Sequence, residues 1–153
     1  MLLLIGFLFF ILVYVGFIAL MAGGSVSIML LDLPAFSLLF VTLLFFLFVS
    51  KSGNIILKYI KSSFKKEYVY SILELESLSA AIKNVIKFII ATGILSFITF
   101  IIVALAFLGT PEALGPNLAM ALISLTYAIA ISFFVFFPVQ AWAENKINVL
   151  KES

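Results

Sequence analysis

Small and weakly polar side chains recur at helical spacing in the last hydrophobic run of the chain, residues 115–138. One face of this otherwise apolar run carries Asn117, Ala121, Ser124, Ala128 and Ser132, at steps of four, three, four and four residues. Such a narrow stripe indicates either close contact with another helix or a hydrated path. Gly115 and Pro116 at the start of the run and Pro138 at its end are expected to shape the helix.

The preceding hydrophobic run, residues 88–108, carries a second polar face made of Thr92, Ser96 and Thr99. Hydroxyl groups inside a membrane can solvate an ion or donate a hydrogen bond to a carboxylate of a partner protein. They can also bond to a carbonyl of their own helix, or hold two helices together, as most Ser and Thr residues in membrane helices do. The pattern leaves both interpretations open.

No acidic residue accompanies these hydroxyls at membrane depth. The seven acidic residues all lie outside the hydrophobic runs or at their edges: Asp32, Glu67, Glu74, Glu76, Glu112, Glu144 and Glu152. A carrier of protons or sodium normally needs an ionisable group inside the membrane. The chain therefore either moves no ions or lines a path whose titrating group comes from a partner.

The residue types also exclude several classes of chemistry. The chain has no His and no Cys, which excludes disulfides and the usual zinc and haem ligand sets. All nine basic residues are lysines, so arginine clamps for phosphate are absent as well. No nucleophile and base stand together within the hydrophobic runs. We therefore predict no enzyme, no metal and no cofactor.

Composition predicts an all-α integral membrane protein with four transmembrane helices. Of 153 residues, 65% are hydrophobic and 10% are charged, whereas about a quarter are charged in soluble domains. We predict one membrane domain over residues 1–153. Its spans are predicted at 2–21, 33–50, 88–108 and 117–138, with a cytoplasmic helical segment at 51–87 and a cytoplasmic tail at 139–153. Pro34 suits the first turn of the second span.

The first apolar run could be a signal peptide or a retained helix. No lysine precedes it, and it is longer than the hydrophobic part of a typical signal peptide, so we interpret it as a retained helix. Orientation follows from the lysines, because cytoplasmic loops carry the excess of positive charge. Seven lysines lie between Lys51 and Lys87 and two in the tail, so both termini are predicted to be cytoplasmic.

The segment at 51–87 contains two predicted helices. Residues 54–66 place apolar and basic residues on different faces, which predicts a basic amphipathic helix at the membrane surface; a straight continuation of span two is the alternative. Its expected partners are lipid headgroups rather than nucleic acid, through Lys58, Lys61, Lys65 and Lys66. The second helix is predicted to start at Ser71, because Ser71 and Glu74 have the spacing of a capping box. No break in the sequence separates this helix from the third span.

The stretch from Leu108 to Pro138 also resembles a known family. In register and without gaps it matches, through Pro111, Gly115, Pro116, Ala119, Ala121, Leu122, Tyr127 and Pro138, the last external turn and fourth helix of the MotA/TolQ/ExbB family. The flagellar MotA branch is the most similar. Gly23, Gly24, Asp32, Leu33 and Pro34 resemble the family's first external turn and the start of its second helix.

The resemblance implies a homopentameric ring in the bacterial inner (cytoplasmic) membrane, forming the channel of a motor driven by protons or sodium. The ring would surround a dimer of a single-span, MotB/ExbD-like partner whose aspartate titrates. The ion path or partner-facing surface would then use Thr92, Ser96, Thr99, Asn117, Ala121, Ser124 and Ala128.

The chain departs from the family pattern at two places that matter for ion transport. Phe97 stands at the threonine position of helix three, and Leu125 stands where helix four has its second threonine. The cytoplasmic segment is also shorter than the folded domain that MotA uses to drive its rotor. These departures motivate the alternative function, a non-conducting membrane scaffold that keeps the ring architecture.

Overall fold

The computed structural model describes residues 33–63, 68–106 and 111–152. Helices account for nearly all of them, in the order α1 (Leu33–Val49), α2 (Ser52–Ser63), α3 (Ile72–Ala106), α4 (Pro111–Ile131), a π-helical turn (Ser132–Phe136) and α5 (Phe137–Glu152). The described part contains no strand. An all-helical fold is therefore confirmed for these residues.

Two helices are long and apolar enough to cross a membrane, Ile72–Ala106 and Leu114–Glu152. A third crossing is added if α1 and α2 are counted as one bent span. With its 35 residues, α3 is about 50 Å long, whereas a hydrocarbon core is about 30 Å thick. The helix is therefore longer than one crossing requires, and the segment 72–87 is continuous with the predicted third span. The first predicted span, residues 2–21, lies outside the described residues.

The second half of the molecule is a hairpin of two long helices. The helix that begins at Pro111 continues through the π-helical turn to Glu152, so the connection between the predicted spans 88–108 and 117–138 is helical from Pro111 onward. The predicted tail is likewise helical and is a direct extension of the fourth span. Pro138 explains the position of the π-helical turn, because proline cannot donate a hydrogen bond to the carbonyl four residues earlier.

Between α1 and α2 the chain bends by 92°. Lys51 lies at this elbow with a φ of 57°, the left-handed conformation that ends many helices. Ser50 N–H donates to the Phe46 carbonyl at 2.9 Å and closes the last turn of α1. A straight continuation of span two into water is therefore wrong, and α2 runs nearly perpendicular to α1.

The protein core consists of two apolar clusters along the hairpin. The first contains Leu39 of α1, Val85 and Ile89 of α3 and Ala128 of α4. Stacking of Phe46 on Phe88, with ring centroids 4.1 Å apart, extends it. The second lies where α3 begins and α5 ends, and it is formed by Leu75, Leu78, Ile82, Ala143 and Ile147. Tyr59, Tyr70 and Trp142 pack against this second cluster.

We call the part of the molecule formed by α2, residues 72–87 of α3 and α5 the charged end. Ion pairs join its helices: Lys58 to Glu74 at 2.8 Å, Lys83 to Glu144 at 2.8 Å and Lys151 to Glu76 at 2.9 Å. The predicted segment 51–87 and the predicted tail thus lie on the same side of the hairpin. Of the predicted headgroup contacts, Lys65 and Lys66 lie outside the described residues.

Candidate functional site

The candidate site is the seam along which α3 and α4 contact each other. Ala121, Ser124 and Ala128 of α4 are fully or almost fully buried there, and Ser96 of α3 retains only 3% of its accessible surface. The helices are in close contact at Gly93, where a Cβ atom would lie 2.3 Å from the Cβ of Ala128. Small side chains on both helices allow this approach.

The hydroxyl groups around the seam bond to their own helices. Ser124 Oγ donates to the Ala121 carbonyl at 2.8 Å, and Thr99 Oγ1 donates to the Leu95 carbonyl at 2.9 Å. Thr126, which sequence reasoning did not select, donates to the Leu122 carbonyl at 2.9 Å. These bonds satisfy hydroxyls without water or an ion.

The structure divides the predicted polar face of α3 between two environments. Ser96 lies in the seam, Thr99 is exposed, and Thr92 is half-buried. Asn117 of α4 is also half-buried. The stripe of α4 is thus covered by α3 of the same chain at Ala121, Ser124 and Ala128. Of the seven predicted site residues, only Thr92, Thr99 and Asn117 leave surface that another chain could reach.

Gly93 is the seam residue that sequence reasoning missed. Its signal was a lone glycine within an apolar helical run, which is unfavourable for helix stability unless close packing requires it. At Gly115, which was predicted to shape the helix, an added Cβ atom would meet no other atom within 4 Å. Pro34 lies in the first turn of α1, as predicted, whereas Pro116 lies inside α4.

Ser132 continues the stripe beyond the seam and begins the π-helical turn. It retains 6% of its accessible surface. Among the described residues, its Oγ is the buried side-chain oxygen or nitrogen that has no hydrogen-bond partner. An unpaired buried hydroxyl costs free energy, so the end of the stripe is less favourable than its middle.

At the charged end, Glu74 joins three groups. Its Oε1 accepts hydrogen bonds from Lys58 Nζ and from Tyr68 Oη, both at 2.8 Å. Its Oε2 accepts from the Ser71 backbone N–H at 3.2 Å, and Glu74 N–H donates to Ser71 Oγ at 3.3 Å. The predicted capping box is therefore confirmed. The hydrogen bond from Lys58, followed by that from Tyr68, lowers the pKa of Glu74 from 4.5 to about 2.

Glu144 forms a second polar junction, between α3 and α5. Its Oε1 lies 2.8 Å from Lys83 Nζ and accepts hydrogen bonds from Ser79 Oγ at 3.0 Å and from Gln140 Nε2 at 3.1 Å. The hydrogen bond from Lys83 is the largest cause that lowers the pKa of Glu144. The carboxylate thus holds the two helices together just beyond the apolar part of the hairpin.

These arrangements are contacts between helices. Over residues 33–63, 68–106 and 111–152, no three acidic, His or Cys side chains converge on a point where a metal ion could bind. The chain matches no known protein-family model, and comparison with characterised proteins and with solved structures finds no significant similarity.

Proposed function

We propose that the chain is a MotA-like, channel-forming subunit of an ion-driven motor in the bacterial inner membrane. Five copies would surround a dimer of a single-span partner, of the MotB/ExbD kind, that supplies the titrating aspartate. The coupling ion would be a proton or sodium. The motif from Pro111 to Pro138 and the absence of an acid in the predicted spans support this assignment.

The observation that carries the proposal is the hairpin of α3 and α4, whose two helices are in close contact at a glycine. Such a pair is a stiff wall, because the helices are in direct contact at Gly93 and Ala128. The wall has exposed apolar residues on its outer faces, among them Leu95 and Leu122. Copies of this wall placed side by side could line a central space for the partner.

A partner carboxylate would meet only the hydroxyls that the seam leaves accessible. Thr99 is exposed and Thr92 is half-buried. In this proposal they face the partner's carboxylate, which is the role that the family resemblance gives to threonines of helices three and four. Ser96 and Ser124 would instead hold the wall together. This assigns the ion path to the edge of α3 rather than to the stripe of α4.

The oligomeric state tests this proposal. The full chain, purified in mild detergent with the product of the adjacent gene, is expected to give a fivefold ring with central density when imaged. A monomer or dimer with no central density would contradict the proposal. In vesicles, ion flux through the complex should fall on Thr92→Val with Thr99→Val, whereas Thr126→Val serves as the matched control.

The non-conducting scaffold is the second candidate, and one observation favours it. The hydroxyls of Ser124 and Thr99 are already bonded to carbonyls of their own helices. A scaffold needs only such internally satisfied contacts. Under this candidate, Thr92→Val with Thr99→Val should leave function intact as long as the ring still forms, and abolished function in an intact ring would exclude the scaffold.

A further inference from the structure

α2 divides its apolar side chains between two directions. Ile55 and Tyr59 pack against the second apolar cluster, around Leu75 and Leu78. Leu57 and Ile60 do not follow them, because 54% and 45% of their surfaces are exposed. The part of the helix that covers the protein and the part that remains uncovered are therefore distinct.

The direction of the uncovered stripe is fixed by Gly53. A Cβ atom at Gly53 would lie 3.0 Å from the carbonyl oxygen of Leu47, in the last turn of α1. Gly53, Leu57 and Ile60 follow at helical spacing, so they share one face of α2. That face is the one turned toward α1, and hence toward the bilayer if α1 is in the membrane.

The surroundings of this stripe match a lipid surface. Because α2 runs at 92° to α1, it lies along the bilayer plane wherever α1 crosses it. Phe48 and Val49, at the end of α1 next to the elbow, are exposed apolar residues as well. Lys51 and Lys61, both exposed, flank the stripe, and α2 itself contains no acidic residue.

We propose that the Gly53–Leu57–Ile60 face of α2 docks into the headgroup region of an anionic bilayer leaflet, with Lys51 and Lys61 at the phosphates. Leu57 and Ile60 enter the boundary between headgroups and acyl chains, at a depth of about 5–10 Å. Lys58 takes no part, since its ammonium group is held by Glu74 on the opposite side of the helix. This inference is independent of the proposed motor function.

Single cysteines test the depth of the stripe, because the native chain has none. The full-length protein with Ile60→Cys is labelled with bimane and reconstituted in vesicles of phosphatidylcholine and phosphatidylglycerol. Nitroxides on the acyl chains, close to the headgroup, should quench this label more strongly than iodide does. Asn148→Cys, on the exposed surface of α5, should show the reverse order. Equal quenching by both agents at the two positions would overturn the proposal, as would protection of position 60 from both quenchers.

Charge substitution tests the headgroup contacts. In the vesicles that contain phosphatidylglycerol, Lys61→Gln should lower the ratio of docked to undocked α2 about fivefold. Pure phosphatidylcholine should abolish this difference. Lys146→Gln, which removes an exposed lysine of α5, is the matched control and should have no effect. An equal response of both variants would show only a general effect of net charge and would overturn the assignment to Lys61.

Discussion

At the scale of single residues, hydrogen bonds and contacts decide what the polar stripe of α4 can do. Ser124 is buried and bonded to the Ala121 carbonyl, so it contributes to helix contact without any ligand. Gly93 makes the same contact possible by having no side chain. The buried residues of this stripe, Ala121, Ser124 and Ala128, are thus residues of a packed seam.

Gly93→Ala should destabilise the protein. The new Cβ would lie 2.3 Å from that of Ala128, and overpacking of this kind costs about 1–3 kcal/mol. Gly115→Ala is the control and should be neutral or stabilising, because its Cβ meets no atom within 4 Å. Thermal unfolding in detergent measures both, and Ala128→Gly should partly restore the first variant. An unchanged melting temperature for Gly93→Ala would contradict the close seam.

Ser132→Ala should raise stability by about 1 kcal/mol or less, since it removes a buried hydroxyl that has no partner. Ser79→Ala provides the contrast. Its Oγ donates to Glu144 Oε1 at 3.0 Å, so its loss should be destabilising. Each variant removes one serine Oγ, and the denaturant concentration at the midpoint of unfolding should rise for Ser132→Ala and fall for Ser79→Ala. A clear loss of stability on Ser132→Ala would mean that its hydroxyl has a partner.

At the scale of elements, the elbow between α1 and α2 sets the position of the charged end. Lys51 adopts a left-handed conformation that glycine takes more readily. Glu74 then attaches α2 to the start of α3 through Lys58. The bend at Lys51 and the ion pair between Lys58 and Glu74 thus place α2 across the end of α1, whereas the sequence also allowed one straight helix.

Lys51→Gly should stabilise the elbow by about 1 kcal/mol, because glycine avoids the contact between Cβ and the carbonyl that a left-handed conformation imposes. Lys51→Val should be destabilising for the same reason, since branching at Cβ increases the clash. Hydrogen exchange of the backbone amides of α2 measures the local unfolding of this helix and therefore reports the effect of each substitution. A matching response to both substitutions would point to charge rather than backbone conformation.

Acid should weaken the attachment of α2 to α3. The pKa of Glu74 is lowered from 4.5 to about 2, so its stabilising contribution is complete above pH 4.5 and is lost as the pH falls from 4.5 toward 2. Hydrogen exchange in α2 should accelerate over that range. Glu74→Gln should flatten this dependence, whereas Glu112→Gln, beyond the other end of the seam, should not. A wild-type dependence retained in Glu74→Gln would contradict the assignment.

For the whole molecule, the lysines of the described part are concentrated at one end of the hairpin. All seven lysines of the described part belong to the elbow, α2, the first half of α3 and α5. Glu112 lies at the far end of the hairpin, where the described residues include no lysine. This asymmetry is the one that orients membrane proteins.

Cysteine labelling should report that orientation. In cells, a membrane-impermeant maleimide should react with Glu112→Cys from the outside and with Asn54→Cys only after the inner face is opened. Both positions are exposed, so differences in reactivity reflect sidedness rather than burial. The native chain is the unlabelled control because it has no cysteine. Reaction of Asn54→Cys from the outside would reverse the predicted topology.

Composition and residue spacing are enough to predict the helical class, the apolar runs and the local signals at their ends. The capping box of Ser71 and Glu74 depends on residues three apart, and the proline at the start of α1 acts within one turn. The continuity of the segment 72–87 with the third span was likewise visible as an absence of breaks. Such features are local, so composition and spacing suffice to predict them.

The neighbour that each helix face contacts, in contrast, is visible only in the folded chain. Periodicity placed Ala121, Ser124 and Ala128 on one face, but the same stripe could have met a partner, water or a helix of its own chain. The approach at Gly93 assigns it to α3, because packing between distant segments depends on how both surfaces fit together. The bend at Lys51 was undecided for a related reason: a lysine in the left-handed conformation has no strong local signal.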